Sequence, residues 1–534
     1  MKNRKIGLVT AAAACCVLWW GGAQAQHKSE IAVQAGEKWW GAYTTLGGEM
    51  PLQKTARAYS LGSENLNGQA APFLVSSYGR YIWSKSPFRF EFDGRRFLID
   101  SPAGEVKAVK AGKNLREAFV LGKDAHFAST EQLPPELFFS LPQYNTWIEL
   151  QYDQNQEAIE RYADQALANG FPAGILMVDD NWQRYYGNFD FKAERFPDPR
   201  GMIDRLHAKG FRVMLWVSPF VSPDSPEFRE LQAKGYLIRQ KGSDRAAVIP
   251  WWNGYSACYD LTHPEAFDHL LGQLQRMQRE YGVDGFKFDA GDTYFYDPQT
   301  QTYHDPKATA TDHLRRWGEL GSRFPYNEFR AAWGMQGAPL VQRLNDKNHS
   351  WEALRQLIPE MLNAGLMGYP YTCPDMVGGG QVADFSAEAQ ERLDQNLIVR
   401  SAQLHALMPM MQFSVAPWRV LDAEHLGYCR LAAQLHGKLA PYILEMARHA
   451  AKTGEPIVRH MEYMYPNKGF SDCKDQYMLG SRFLVAPILT PDGKRTVRLP
   501  RGTWVDDLGQ RFKGPLVIEV SAPLGRIPYY ELRR

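Results

Sequence analysis

Short apolar runs alternate with amphipathic segments through the middle of the chain. The apolar runs predict strands at residues 146–152, 174–179, 212–217, 285–289, 329–333, 340–344, 366–373 and 407–413. Apolar positions spaced three or four apart predict helices at residues 156–169, 199–209, 264–281, 351–364 and 387–404. Eight strand–helix units over roughly 300 residues favour an α/β fold, a (β/α)8 TIM barrel. A doubly wound sheet is the alternative, although no G-x-G-x-x-G motif opens a helix.

The two ends of the chain have a different pattern. Alternating segments at 80–83, 88–92 and 96–99, broken by Gly and Pro, predict an antiparallel β domain before the barrel. After a predicted helix at 427–451, strands return at 483–488, 495–499 and 516–520. We therefore expect an N-terminal β-sandwich at 26–140, a catalytic barrel at 141–455 and a small C-terminal β-sandwich at 456–534.

The N-terminus has the pattern of an export signal. A basic segment at 1–5 precedes an apolar run at 6–20, and Ala23-Gln24-Ala25 fits the small-x-small cleavage rule. This predicts a signal peptide at 1–25 and an exported protein, periplasmic or secreted. A lipoprotein signal is a weaker alternative, because Cys15 and Cys16 lie deep in the apolar run. No other stretch is long enough to span a membrane.

Composition narrows the class of partner. A net charge of +2 gives no indication of nucleic acid or an anionic membrane as a partner. Aromatic residues make up 13% of the chain, with 15 Trp. Aromatic rings stack on the C–H faces of sugars, but a large β-rich core explains the same number. The oligomeric state leaves no trace in the sequence.

The ligand-type residues do not form a metal motif. The 13 His are scattered, without H-x-H or H-E-x-x-H, so we expect neither a metal nor another cofactor. Four cysteines follow the predicted signal peptide with no C-x-x-C pair: Cys258, Cys373, Cys429 and Cys473. Export permits disulfides among them, and buried free thiols are equally compatible with this spacing.

Acids and tryptophans occur where the predicted barrel strands end, which is where barrel enzymes place their active sites. Asp179 and Asp180 follow one strand, Trp216 ends the next, and Asp289 and Asp375 follow two others. A single such acid is as often a helix N-cap. Several acids at successive strand ends, with Trp beside them, favour a sugar-binding site.

A retaining glycosidase needs two carboxyl groups about 5–5.5 Å apart, one ionised and one protonated. Asp289 suits the first role, because it ends an apolar strand and Lys287 lies on the same strand face. Asp346, in a loop that can reach across, is the candidate for the second. It could instead cap the helix that begins at Trp351, but Ser350 already fits that position.

These motifs resemble glycoside hydrolase family 31 over nearly the whole mature chain. The resemblance implies that Asp289, in the segment FKFDAGD (286–292), is the nucleophile and that Asp346 is the acid/base. Arg330, 16 residues before Asp346, matches the arginine that grips the sugar, and Asp375 and Asp179 match substrate-binding aspartates. Segments 196–199, 216–219 and 260–264 are also similar to family landmarks. The resemblance implies the same three-part arrangement, which we expect here in a short form without the family's distal C-terminal β domain.

The predicted substrate-binding set combines the strand-end residues with the resemblance. It consists of Asp179, Asp180, Trp216, Trp252, Lys287, Arg330, Trp333, Arg343 and Asp375. Trp216, Trp252 and Trp333 are expected as stacking walls, although core packing is the commoner role of any one Trp.

Three positions depart from the family pattern. Asn345 replaces a Gly, Asp292 stands where many relatives carry Glu, and Ser414 replaces the histidine that binds glucose in α-glucosidases. The resemblance is then to the branch that contains the animal myogenesis-regulating glycosidase and some bacterial α-galactosidases. It implies an exo-acting retaining enzyme that hydrolyses terminal α-linked sugars, and α-galactosides are the substrates that it favours most. The alternatives are an α-glucosidase, α-xylosidase or α-N-acetylgalactosaminidase, a transglycosylase, and a catalytically inactive carbohydrate-binding relative.

Overall fold

A computed structural model describes residues 27–533. The predicted signal peptide at 1–25 lies outside these residues. The N-terminal region forms two four-stranded sheets, with strand orders β1-β7-β6-β3 and β2-β4-β5-β8 and antiparallel pairing throughout. The strands are β1 His27–Ala32, β2 Trp39–Tyr43, β3 Tyr59–Ser60, β4 Ala70–Ser76, β5 Arg80–Trp83, β6 Arg89–Phe92, β7 Arg96–Ser101 and β8 Ala108–Lys110.

One helix of this region was not predicted. Helix α1, Leu115–His126, begins after Asn114, whose side chain accepts a hydrogen bond from the backbone of Glu117. Leu115 and Phe119 lie on its buried face and join the hydrophobic cluster of the N-terminal sheets. The helix therefore covers the sheet of β4 and β5.

The middle of the chain confirms the predicted barrel. Eight parallel strands pair in the order β21-β9-β10-β11-β16-β18-β19-β20, which follows the chain apart from the closing strand. The strands of this region are β9 Gln143–Asn145, β10 Ile175–Val178, β11 Arg212–Val217, β12 Phe220–Val221, β13 Arg239–Gln240, β14 Ile249–Trp251, β15 Gly254–Cys258, β16 Gly285–Phe288, β17 Gln301–Thr302, β18 Tyr326–Phe329, β19 Gln342–Arg343, β20 Thr372–Cys373 and β21 Gln412–Phe413.

Helices lie between successive barrel strands, except between β18 and β19. The long helices have the expected end signals: Pro264 opens α7, and Gly282 ends it in a left-handed conformation. The helices are α2 Leu137–Ser140, α3 Trp147–Leu150, α4 Gln156–Ala168, α5 Pro199–Ala208, α6 Pro226–Ala233, α7 Pro264–Tyr281, α8 Ala310–Gly321, α9 Trp351–Leu366, α10 Ala387–Gln390, α11 Gln395–Ala406, α12 Pro417–Val420 and α13 Ala423–Thr453, and 3-10 helices occupy Thr44–Glu49, Thr293–Phe295 and Val382–Phe385.

Several element predictions were wrong in type or in bounds. The strand predicted at 146–152 begins earlier, as β9, and Trp147–Leu150 is a helix, because the side chain of Asn145 accepts a hydrogen bond from the Trp147 backbone and turns the chain. The helix predicted at 387–404 is interrupted, and Asp394 caps a new helix there by accepting from the Leu397 backbone. The strand predicted at 329–333 lies earlier, at Tyr326–Phe329, and the strands predicted at 340–344, 366–373 and 407–413 are shortened to Gln342–Arg343, Thr372–Cys373 and Gln412–Phe413.

The C-terminal region is one six-stranded antiparallel sheet in the order β22-β23-β24-β27-β25-β26. A register shift between Leu499 and Gly502 interrupts the pairing of its two longest strands. The elements are β22 Val458–Arg459, α14 Met461–Met464, β23 Tyr477–Leu479, β24 Phe483–Val485, β25 Lys494–Asp506, β26 Arg511–Ser521 and β27 Tyr529–Arg533.

Two chemical features accompany the fold. The four cysteines of the described chain are buried free thiols rather than disulfides. Between residues 27 and 533, no helix combines the length and the apolar character that a membrane span requires.

Candidate active site

The barrel strands deliver a ring of charged side chains to one end. Asp179 follows β10, Asp289 follows β16 and Arg330 follows β18. Arg343 ends β19, and Asp375 stands two residues after β20. Parallel strands present their carboxyl ends on the same side of a barrel, so the fold brings these residues together from distant parts of the chain.

Asp289 is held by three donors. The Arg330 Nε donates to its Oδ1 at 2.8 Å, and the indole nitrogen of Trp216 donates to its Oδ2 at 2.8 Å. The backbone of Ala290 also donates to Oδ1 at 2.8 Å, with Ala290 in a left-handed conformation at φ 57°. This turn immediately after β16 fixes the direction of the carboxylate.

The electrostatic surroundings keep Asp289 ionised. Burial alone would raise the pKa of this carboxyl, but the charges of Arg330 and Lys287 and the hydrogen bonds from Trp216 and Ala290 hold the pKa well below its usual range. The sequence pointed to Lys287 as the stabilising cation. Arg330, which contacts the carboxylate directly, has the larger effect.

Arg330 in turn bridges two carboxylates. Its Nη2 donates to the buried Asp292, and its Nε donates to Asp289. Burial would lower the pKa of Arg330, but these two negative charges raise it, so the guanidinium stays charged. Its planar fork fixes the separation of the two acids.

Asp346 belongs to a second charged cluster. The Nη1 of the buried Arg343 donates to Asp346 at 2.8 Å and to Asp375 at 3.0 Å. About a third of the Asp346 side chain is exposed, whereas Asp375 is fully buried. Burial, together with the negative charge of Asp346, raises the pKa of Asp375 to about 7. Ser350 rather than Asp346 caps helix α9, as the sequence predicted.

Asp179 and Asp180 have different partners. Lys287 donates to Asp179 at 2.6 Å in a buried ion pair. Asp180 accepts from Tyr186 at 3.1 Å and from Asn253 at 2.6 Å. Burial and the neighbouring charge of Asp179 raise the pKa of Asp180 to about 7. Asp180 is therefore partly protonated near neutral pH.

The three predicted stacking tryptophans lie in three environments. Trp216 is 1% exposed, and its ring nitrogen binds Asp289. Trp252 is 47% exposed at the turn between β14 and β15, and the Arg330 guanidinium lies 4.8 Å from its ring centre. Trp333 is 5% exposed and packs in the hydrophobic cluster of the N-terminal sheets. Trp252 alone of the three offers an open ring face.

Sequence reasoning missed several buried polar side chains near these groups. Glu328 on β18 accepts from Gln412 on β21 at 2.7 Å and lies 3.5 Å from the Arg343 Nε. Burial raises the pKa of Glu328. No alternation of polar and apolar residues marks Glu328 in the sequence, because β18 places Asn327 and Glu328 side by side. In residues 27–533, no three His, Cys, Asp or Glu side chains form a metal-binding group.

The sequence is similar to known protein families and to individual proteins. The family model described as "Glycosyl hydrolases family 31 TIM-barrel domain" matches residues 131–446, and the model described as "Glycosyl hydrolase family 31 C-terminal domain" matches residues 454–531. The mouse myogenesis-regulating glycosidase is 34% identical over 76% of this chain and 58% of its own length. An α-xylosidase of Emericella nidulans is 24% identical over 91% of this chain and 65% of its own. The chain thus spans about three fifths of these relatives.

Solved structures share the fold. A GH31 dextranase of Flavobacterium johnsoniae complexed with glucose superimposes with a TM-score of 0.82 at 22% identity, over 95% of this chain and 66% of that chain. A GH31 α-xylosidase from a soil metagenome complexed with xylose superimposes with a TM-score of 0.81 at 21% identity, over 95% and 79%.

Proposed function

The chain belongs to glycoside hydrolase family 31, and from that premise we propose that it is a retaining, exo-acting α-glycosidase with Asp289 as nucleophile and Asp346 as acid/base. One observation carries the proposal. Asp289 sits at the end of β16 with Arg330, Lys287 and Trp216 arranged to keep it ionised at any physiological pH. A nucleophilic carboxylate needs this charge state.

In the first proposed step, Asp289 attacks the anomeric carbon as the bond to the leaving oxygen breaks. Asp346 gives its proton to that oxygen, so the aglycone departs as a neutral alcohol. Its partial exposure leaves room for a leaving group that arrives from solvent. The product of this step is a β-linked glycosyl ester of Asp289.

In the second step, Asp346 is a base. It takes a proton from water, the water oxygen attacks the anomeric carbon, and the ester bond to Asp289 breaks. Two inversions return the sugar with its α configuration. A sugar hydroxyl that accepts the ester in place of water would give transglycosylation by the same residues.

The remaining charged residues would bind the sugar hydroxyls. Asp179, Asp375 and Arg330 lie at the same end of the barrel as Asp289, and each is a strong hydrogen-bonding partner for a hydroxyl. Trp252, with its ring half exposed beside Arg330, would form one wall of the site. We leave Trp333 out of this set because it belongs to the core.

We propose a terminal α-galactoside as the substrate. Ser414 stands where the family's glucose-binding histidine is expected, and it is fully buried. The Ile148 backbone donates to its hydroxyl oxygen at 2.9 Å. Because the Ser414 side chain is fully buried, it offers a glucose ring no surface to contact, which supports a sugar other than glucose.

The test is hydrolysis of nitrophenyl α-galactoside, α-glucoside, α-xyloside and α-N-acetylgalactosaminide by wild type and Asp289→Ala. We expect the galactoside to give the highest kcat/KM and Asp289→Ala to lose activity on every substrate. A preference for the xyloside or glucoside would contradict the sugar assignment alone. A wild type that binds sugars but hydrolyses none of the four would overturn the proposal in favour of a carbohydrate-binding relative.

A further inference from the structure

A loop of the N-terminal β domain reaches into the active-site end of the barrel. It joins β3 to β4, residues 61–69, and its side chains Asn65 and Gln69 are both fully buried. The two amides point at the groups that hold the proposed catalytic carboxylates.

Asn65 contacts the acid behind Arg330. Its Nδ2 donates to Asp292 Oδ1 at 2.8 Å and to the Gly68 carbonyl at 2.9 Å, and its Oδ1 accepts from Thr293 at 3.3 Å. Since Arg330 donates to both Asp292 and Asp289, an unbroken hydrogen-bonded chain runs from the N-terminal domain to the proposed nucleophile.

Gln69 contacts both arginines. Its Nε2 donates to the Arg330 carbonyl at 2.9 Å and to the Arg343 carbonyl at 3.3 Å. Thr44, at the start of a 3-10 helix of the same domain, donates to the Gln69 Oε1 at 3.0 Å and fixes the amide. One side chain thus joins the backbones of the residues that hold Asp289 and Asp346.

We propose that Asn65 and Gln69 are positioning residues, through which the N-terminal β domain fixes Arg330 and Arg343 and thereby the two catalytic carboxylates. The proposal rests on the function proposed above and adds to it that the barrel alone is an incomplete catalyst. Neither amide is proposed to contact the substrate. Both act through the arginines.

The physical reason is that Arg330 has two anchors. If Asp292 loses the Asn65 donor, it is a buried carboxylate with one partner fewer, and the guanidinium can shift towards it. A displacement of about 1 Å in a group that orients a reacting atom can reduce kcat by about 100-fold.

Two substitutions separate this role from simple packing. Asn65→Leu keeps the approximate volume and removes the donor. Asn65→Asp keeps the shape, and its carboxyl group, when protonated, can donate to Asp292 as the amide does. Two adjacent carboxyl groups share one proton and release it at a raised pH. The exposed Asn67, two residues away, provides the matched control Asn67→Asp.

The experiment measures kcat and KM from pH 4 to 9 on the nitrophenyl glycoside that wild type hydrolyses best. We expect Asn65→Leu to lower kcat by about 10- to 100-fold at every pH, with a much smaller change in KM. Asn65→Asp should retain activity at low pH and lose it with a new alkaline limb at about pH 5–8. The ionisable groups around Asp292 are Arg330, Asp289, Tyr294 and Tyr296, and both variants retain all four.

Two results would overturn the proposal. One is a pH profile of Asn65→Asp that has the same shape as the profiles of wild type and Asn67→Asp, even if its activity is reduced. A packing defect would lower the activity equally at every pH, because it involves no ionisable group. The other is an unchanged kcat in Asn65→Leu. If wild type hydrolyses no glycoside, the proposed function fails separately. The crystal structure of Asn65→Leu then decides the positioning role: an Arg330 that has left Asp289 supports it, and an unchanged contact overturns it.

Discussion

Replacing Arg330 with methionine removes the cation that contacts the proposed nucleophile. The Arg330 Nε lies 2.8 Å from Asp289 Oδ1, and both side chains are nearly buried. Burial raises the pKa of Asp289, and Arg330 is the first of the groups that oppose this effect. The variant Arg330→Met should therefore bring the pKa of Asp289 up into the range that an enzyme assay can measure.

The size of the effect follows from the distance. At an effective dielectric constant of about 20, two unit charges 2.8 Å apart attract by about 6 kcal/mol. Since one pKa unit corresponds to about 1.4 kcal/mol, complete loss of this attraction equals about four units. Lys287, Trp216 and Ala290 still stabilise the carboxylate, and water can enter the space. We therefore expect a rise of about two units.

The assay is the pH dependence of kcat/KM, whose acid limb reports the pKa of the nucleophile in the free enzyme. Protonation inactivates Asp289, so a raised pKa moves the acid limb to higher pH. Wild type should show no loss of activity from this group down to pH 3, whereas Arg330→Met should lose activity as the pH falls through about 5 to 3. Arg323→Met, at an exposed position, is the control. An acid limb that stays at the wild-type pH, despite weaker substrate binding, would show that Arg330 does not lower the pKa of Asp289.

Three further substitutions test separate parts of the site. Trp216→Phe removes the indole donor at 2.8 Å from Asp289, and a hydrogen bond to a charged group contributes about 1.5–3 kcal/mol. Added to Arg330→Met, in which the acid limb of Asp289 is measurable, it should raise that limb of kcat/KM by about one to two further pH units, and an unmoved limb would contradict this. Asp180→Asn removes an acid whose pKa is raised to about 7 in the folded protein. Relative to the variant, wild type should therefore lose about 1.4 kcal/mol of stability per pH unit as the pH rises from about 4 to 7. Thermal unfolding at pH 4 and 8 measures this loss, and an equal difference in Tm between the two proteins at both pH values would refute it. Asp346→Ala should slow glycosides with poor leaving groups by at least about 100-fold more than activated nitrophenyl glycosides, and an equal loss on both would exclude Asp346 as the proton donor.

The parts of the site that local sequence predicts are those at the ends of apolar strands. Asp179 and Asp289 stand out because each interrupts a hydrophobic run, and the runs at 212–217 and 285–289 correspond to β11 and β16 within one residue. The helix at 264–281 also agrees with the structure, because Pro264 and Gly282 mark its two ends.

Residues whose role depends on long-range contacts have no local sequence pattern that identifies them. Asn65 lies in a loop with three other Asn or Gly residues nearby and meets Asp292, which is 227 positions away. The three-residue strand β9 consists of buried Gln143, Tyr144 and Asn145, so it lacks the apolar run by which strands are recognised. Gln143 accepts a hydrogen bond from Gln412 of the neighbouring strand at 3.3 Å, whereas Asn145 accepts one from the Trp147 backbone.

In the proposed mechanism, Asp289 forms a covalent bond to the sugar. A 5-fluoro glycosyl fluoride of the sugar that the enzyme prefers slows both steps, and its good leaving group allows the ester to accumulate. Mass spectrometry of the digested protein should then find one added glycosyl group on the peptide that contains residues 286–292, with Asp289 as the modified residue. A label on Asp346, or turnover that inverts the anomeric centre without any label, would contradict the account.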